Sequence, residues 1–257
     1  MPSRSRRPAS VVAVCVALGG ATVPATALAA RPVVWVQAGH EGPREPGYRA
    51  QTGAGGGPFG SEVAFNTRVA ARVEARLRAA GVDARHTPGL VTPWGARGAV
   101  FVSIHFDSPG GQAAVGYAVS NPARGENYYR GEGSATPSPT PYPGSVRHRR
   151  ATTVSPSVER RSRSLARFIS RRLGAAHTPS KGAGAPFAGV TPRNGNVRMQ
   201  YFYGYYRART GARVLVECGA AGADDAFLSR SDLVAGTVAG GIIDYLRRRG
   251  SLPAARS

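Results

Sequence analysis

The sequence predicts an α/β fold: a single domain with a mostly parallel, twisted sheet and helices on both faces. Three observations support this. Short apolar runs rich in β-branched residues, "VVWV" (Val33 to Val36), "AVFVSIH" (Ala99 to His105) and "ARVLVECGA" (Ala212 to Ala220), have the continuous hydrophobicity of strands buried on both faces. Segments of helical periodicity alternate with them, as parallel strands require. The chain has 257 residues, of which about 228 remain after removal of a leader, enough for one domain with a sizeable core.

The elements follow in chain order. Arg4, Arg6 and Arg7 precede the apolar run "VVAVCVAL" and a small-residue stretch ending in Ala27-Leu28-Ala29, which predicts a secretory signal peptide over residues 1–29. Arg6 and Arg7 form a pair, as in twin-arginine signals, but Pro8-Ala9-Ser10 stands where apolar residues should follow. Neither this run nor any later one approaches the roughly 20 apolar residues of a membrane span. The expectation is an exported protein, secreted or in the cell envelope, without stable membrane insertion.

The first strand opens a domain over residues 30–250 and leads into a glycine-rich loop, Arg44 to Ser61. From Glu62 to Ala80, Phe65, Val69, Val73 and Leu77 recur at four-residue steps, with Ser61 as N-cap and Gly81 as C-cap, which predicts an amphipathic helix. "VDARHT" is a short strand, "AVFVSIH" a buried one and "AVGYAVS" (Ala114 to Ser120) another. Between about residues 121 and 156 the composition shifts to Pro, Ser, Thr, Gly and Arg, and this predicts a partly disordered insertion. "SVERRSRSLARFISRRLG" resumes a helix with Leu165, Phe168, Ile169 and Leu173 on one face. The last strand, a closing helix from Leu233 to Arg249 and a disordered tail over 251–257 complete the chain.

The formal net charge is +20, and Lys181 is the only lysine. The signal carries three arginines and no acid, so the mature chain keeps +17. Nucleic acid, an anionic surface or a polyanionic polymer could each accept such charge. Export favours the cell envelope, and no nucleic-acid partner is expected. Cys15 leaves with the signal, so Cys218 is the one cysteine of the mature chain and no intramolecular disulfide can form. A monomer is expected.

His40 follows the first strand, His105 ends the strand Val100 to Ile104, and Glu217 ends the strand Val214 to Val216. Parallel strands bring such ends to one rim, where open α/β sheets place their sites. Glu62, in the first turn of the helix after the first loop, reaches the same rim. Two imidazoles and a carboxylate with an open fourth position suit a catalytic zinc ion, and a further carboxylate can take a proton.

"VVWVQAGHEG", "GSEVAFNTRVAARVEARLRAAGV", "VFVSIHFD" and "RVLVECGA" together resemble, in order and spacing, the motifs of the zinc-dependent N-acetylmuramoyl-L-alanine amidases of type 3. The resemblance spans Val33 to Tyr245 apart from the insertion. It implies zinc (Zn2+) held by His40, Glu62 and His105, Glu217 as general base, and peptidoglycan as substrate. The chain departs from the family's usual Asp-Pro-Gly-His-Gly at Gln37-Ala38-Gly39-His40-Glu41, and from its threonine-arginine pair after the first helix, where "ARHTPG" stands.

Other residues have weaker cases. Glu41 and Glu45 compete with Glu62 as the carboxylate ligand, whereas His86, His148 and His177 lack a strand-end context. Cys218 adjoins Glu217, but neighbours in a strand face opposite ways, so it is expected to point into the helix layer. "GAGGGPFGS" lacks the Gly-Lys-Ser/Thr ending of a phosphate loop. "MQYFYGYYR" (Met199 to Arg207) could stack on sugar or peptide, or pack as a half-buried segment.

Overall fold

The computed structural model describes residues 30–41, 53–88, 95–120, 127–130, 145–148, 152–180, 186–193 and 208–254. The predicted signal peptide, Glu45, the cluster Met199 to Arg207 and the last three residues of the predicted tail lie outside them. The chain divides into Met1–Ala30 and Arg31–Ser257, and every element below belongs to the second unit.

Strand β1 (Val33–Ala38) pairs in parallel with β2 (Asp83–Pro88) on one side and β3 (Arg97–Asp107) on the other. Strand β3 pairs in parallel with β8 (Arg209–Ala220). Strand β4 (Ala114–Ala118) then runs antiparallel to β8, and β7 (Val190–Arg193) pairs in parallel with β4. The six-stranded sheet has the order β2-β1-β3-β8-β4-β7, parallel at every pairing except β8 with β4. Within the proline-rich stretch predicted as an insertion, β5 (Asn127–Arg130) and β6 (Ser145–His148) form a separate antiparallel ribbon.

Helix α1 (Glu62–Ala79) begins at Ser61, whose hydroxyl accepts the Ala64 amide at 3.3 Å. The cap at its far end is Ala80, one residue before the expected Gly81. The position that must turn left-handed is the residue after the cap, and Gly81, at φ +84°, fills it. Helix α2 (Pro156–Ser180) starts just ahead of its predicted span, the short helix α3 (Asp225–Leu228) follows β8, and α4 (Ser231–Arg248) closes the domain.

Alternate residues of each strand, among them Val34, Val36, Val100, Val102, Ile104, Val214 and Val216, meet Phe65, Val69, Val73 and Leu77 of α1, Leu165, Ile169 and Leu173 of α2, and Val234, Val238 and Ile242 of α4 in one core. The three long helices therefore share one face of the sheet, with α4 packed against both α1 and α2. A fully buried side chain of this kind contributes about 2 kcal/mol. The opposite face is also buried where Gln37, Phe101, Ser103 and Leu215 stand, and there Ser103 Oγ donates to Gln37 Oε1 at 2.6 Å. Among the described residues, no helix is long and apolar enough to cross a membrane.

Candidate metal centre

Three elements deliver the site. Strand β1 ends at Ala38, and the chain turns sharply through Gly39 and His40, with the Glu41 amide donating to the Ala38 carbonyl at 3.2 Å. His40 has φ +57°, the one positive φ outside glycine among the described residues. That conformation costs on the order of 1–3 kcal/mol, so the surroundings must hold it. Gly39 is fixed on both sides: its amide donates to the Ile104 carbonyl at 2.9 Å, and its carbonyl accepts from Asn66 Nδ2 at 2.9 Å. Gly39 must also lack a side chain, because a Cβ there would lie 2.3–2.6 Å from three ring atoms of His105.

Glu62 opens α1 and is buried. Its Oε2 accepts the Ala54 amide at 2.5 Å, and Asn66, one turn along the helix, donates to Oε1 at 3.4 Å. The same Oε1 lies 3.5 Å from His40 Nε2 and 3.0 Å from His105 Nδ1. Burial by itself would push the Glu62 carboxyl up, but the contact with and charge of His105, joined by His40 and the Ala54 amide, hold it below its ordinary value. Glu62 is thus kept ionised, as a metal ligand must be. His105, on β3 and 2% exposed, meets the His40 ring edge-on, with centroids 4.9 Å apart.

His40, Glu62 and His105 each offer one ligand atom, and all lie within 4.8 Å of one another. Ligand atoms about 2.0–2.1 Å from a tetrahedral ion stand roughly 3.3 Å apart, close to the 3.0 and 3.5 Å separations seen here. A donor set of two imidazoles and one carboxylate, satisfied behind by Asn66 and the Ala54 amide, suits zinc.

Glu217 stands on β8 beside His105, its register partner across the parallel pair, and its side chain is 14% exposed. It lies outside the three-ligand group. Burial pushes its pKa up to about 6, helped by the negative charges of Asp107 and Glu62 and opposed by His105 and Arg193. Arg193, at the end of β7, places a terminal guanidinium nitrogen 3.4 Å from Glu217 Oε1. Sequence reasoning missed this residue. Its stem lies over Gly116 of β4, where a Cβ would meet Arg193 Cγ at 2.3 Å.

The remaining candidates fall elsewhere. Glu41 is bonded to His86 and lies outside the ligand group. His86 touches carboxylates with both ring nitrogens; its bond to Glu74, supported by Glu41 against partial burial, pushes its pKa up to about 9. His177, fully buried, lies 3.0 Å from Asp224 on the helix side of the sheet. Cys218 is buried on the core face, and burial holds its thiol well above the usual range, which leaves it protonated and unreactive. The side chain of His148, in β6, lies outside the description. Two cavities of about 570 and 660 Å3 run beside α4, and none of the four site residues lines either.

No family model matches the sequence, and no curated protein does. Among solved structures, the chain resembles the N-acetylmuramoyl-L-alanine amidase AmiC2 of Nostoc punctiforme at 18% identity and a TM-score of 0.51, over 84% of this chain and 98% of that one. It also resembles the N-acetylmuramyl-L-alanine amidase Ami1 from Mycobacterium smegmatis at 17% identity and a TM-score of 0.52, over 84% and 97%. The apo form of Ami1 from Mycobacterium abscessus matches at 18% identity and a TM-score of 0.50, over 85% and 100%. The likeness spans nearly the whole of each structure, and it is a likeness of fold.

Proposed function

We propose that this chain, which has the fold of solved N-acetylmuramoyl-L-alanine amidases, is an exported zinc amidase of peptidoglycan, cleaving the amide between the lactyl group of N-acetylmuramic acid and the L-alanine of the stem peptide. One observation carries the reading: a partly buried carboxylate, Glu217, stands next to His105 on the neighbouring strand yet belongs to no ligand set. A metal-binding site alone has no use for it, whereas amide hydrolysis needs a base. The export half rests on the signal-like residues 1–29.

His40, Glu62 and His105 would hold the ion, which when bound supplies Lewis-acid polarisation of the amide carbonyl and a more acidic water. The protein does the rest. Glu217 accepts a proton as water adds to the carbonyl carbon, then gives it to the L-alanine nitrogen as the C–N bond breaks. Its pKa of about 6 leaves it ionised near neutral pH while its conjugate acid is still able to protonate the amine. Arg193 braces that carboxylate from β7. Asn66 joins the loop before His40 to Glu62 and so fixes two ligands with one amide.

Incubating the mature protein with purified peptidoglycan, with and without chelator, and identifying the new amine terminus by mass analysis tests the reading. An L-alanine amine terminus that forms only without chelator supports it. A different terminus would make the chain a zinc peptidase, and binding without cleavage would make it a wall-binding protein.

A further inference from the structure

Glu41 and His86 both fall where the sequence departs from the family pattern it resembles, and they meet in space. His86 Nε2 lies 2.5 Å from Glu41 Oε2, and its Nδ1 lies 2.6 Å from Glu74 Oε1. An imidazole that serves two carboxylates must donate from both nitrogens, so it is an imidazolium. The chain of bonds continues: Arg78 donates to Glu74 Oε2 at 2.8 Å and, through two of its nitrogens, to the Ala84 carbonyl at 3.1 and 2.9 Å. Two anions and two cations thus tie the residue after His40 to the edge strand β2 and to α1, in a network whose charges balance.

The anchor sits where it is needed. Gly39, before His40, is fixed through its amide and its carbonyl, and on the far side of the turn the Glu41 amide donates to Ala38 at 3.2 Å while the Glu41 side chain is tied to His86. His40 between them holds a left-handed conformation that a histidine leaves readily when released.

On the reading that His40, Glu62 and His105 bind zinc, we propose that Glu41 and His86 are positioning residues which, backed by Glu74 and Arg78, clamp the turn so that His40 presents Nε2 to the ion. They touch neither the ion nor the ligand atoms. The clamp acts by removing alternative conformations of His40 from the metal-free protein, so its loss weakens metal binding without removing a ligand.

The test uses the full mature protein and zinc alone. Zinc dissociation constants are measured by competition with a chromophoric chelator for wild type, Glu41→Ala, His86→Ala and the double variant. Thermal melting of the metal-free proteins runs alongside. Partners that hydrogen-bond a ligand side chain are worth about 10- to 100-fold in metal affinity, and a clamp on the ligand's own turn acts at the lower end of that range. Each single variant should therefore lose at least about tenfold, and the double variant should lose no more than the worse single, because the two residues act as one device. Asp83→Asn breaks the exposed Asp83–Arg85 pair on the same strand and should leave zinc affinity unchanged. If an alanine variant does not fold, Glu41→Gln keeps the shape and weakens the same charged bond, and a smaller loss in the same direction is expected. Wild type that binds zinc tightly while folded variants match it would overturn the clamp alone. Wild type that binds no zinc would overturn the metal reading and the clamp with it.

Discussion

Gly39→Ala is a one-methyl change whose effect can be worked from the geometry. A Cβ built at Gly39 lies 2.3, 2.4 and 2.6 Å from Cε1, Nε2 and Nδ1 of His105, where ordinary contact begins near 3.4 Å. About 1 Å of overlap must be relieved. Gly39 cannot retreat, since its amide is bonded to Ile104 and its carbonyl to Asn66. The His105 ring must therefore move, and it is a proposed ligand whose Nδ1 lies 3.0 Å from Glu62. Overpacking of this kind costs about 1–3 kcal/mol in stability. A displacement near 1 Å at a reacting centre can cost about 10²-fold in rate. Gly39 has no positive φ, so backbone strain does not confuse the result. The assay is stem-peptide release, zinc content and thermal melting on one preparation. A stable Gly39→Ala protein with full zinc and wild-type turnover would refute the placement of His105.

Two further predictions follow from the same geometry. His40→Ala and His105→Ala should each abolish stoichiometric zinc, measured by atomic absorption after dialysis, because two remaining ligands hold the ion poorly. For the pH dependence, Glu217 acts as a base only when ionised, so kcat/KM should fall as pH drops through about 6; Arg193→Met removes a charge that lowers the Glu217 pKa, and the acid limb should shift to higher pH. An unmoved limb would dismiss Arg193 as a brace.

The grouping of the candidate residues was legible in the sequence because most of them end strands that announce themselves. Val33 to Val36, Val100 to Ile104 and Val214 to Val216 are apolar enough to be read as buried strands, and parallel pairing carries His105 and Glu217 to neighbouring positions. Glu62 was legible because Ser61 marks where α1 begins. Arg193 was not, since β7 is a four-residue edge strand, half exposed and interrupted by a proline, with no periodicity to see. Its approach to Glu217 depends on β4 reversing direction beside β8, and local pattern does not encode that reversal. The Glu41–His86 tie joins residues 45 positions apart, and nothing in either neighbourhood signals the other. The α/β class with a mostly parallel sheet was legible from the alternation of apolar strands with helices, and among the described residues the three long helices pack on the face that carries Val34, Val102 and Val214.

Glu217 is proposed to be a base beside a metal and not a fourth ligand. Glu217→Gln should keep the fold and nearly all the zinc, because the amide has almost the same shape, while it cannot take the proton. Release of stem peptides with a new L-alanine amine should then fall by roughly 10²-fold or more against wild type. Near-normal release with zinc bound would contradict the account, and loss of zinc would make Glu217 a ligand instead.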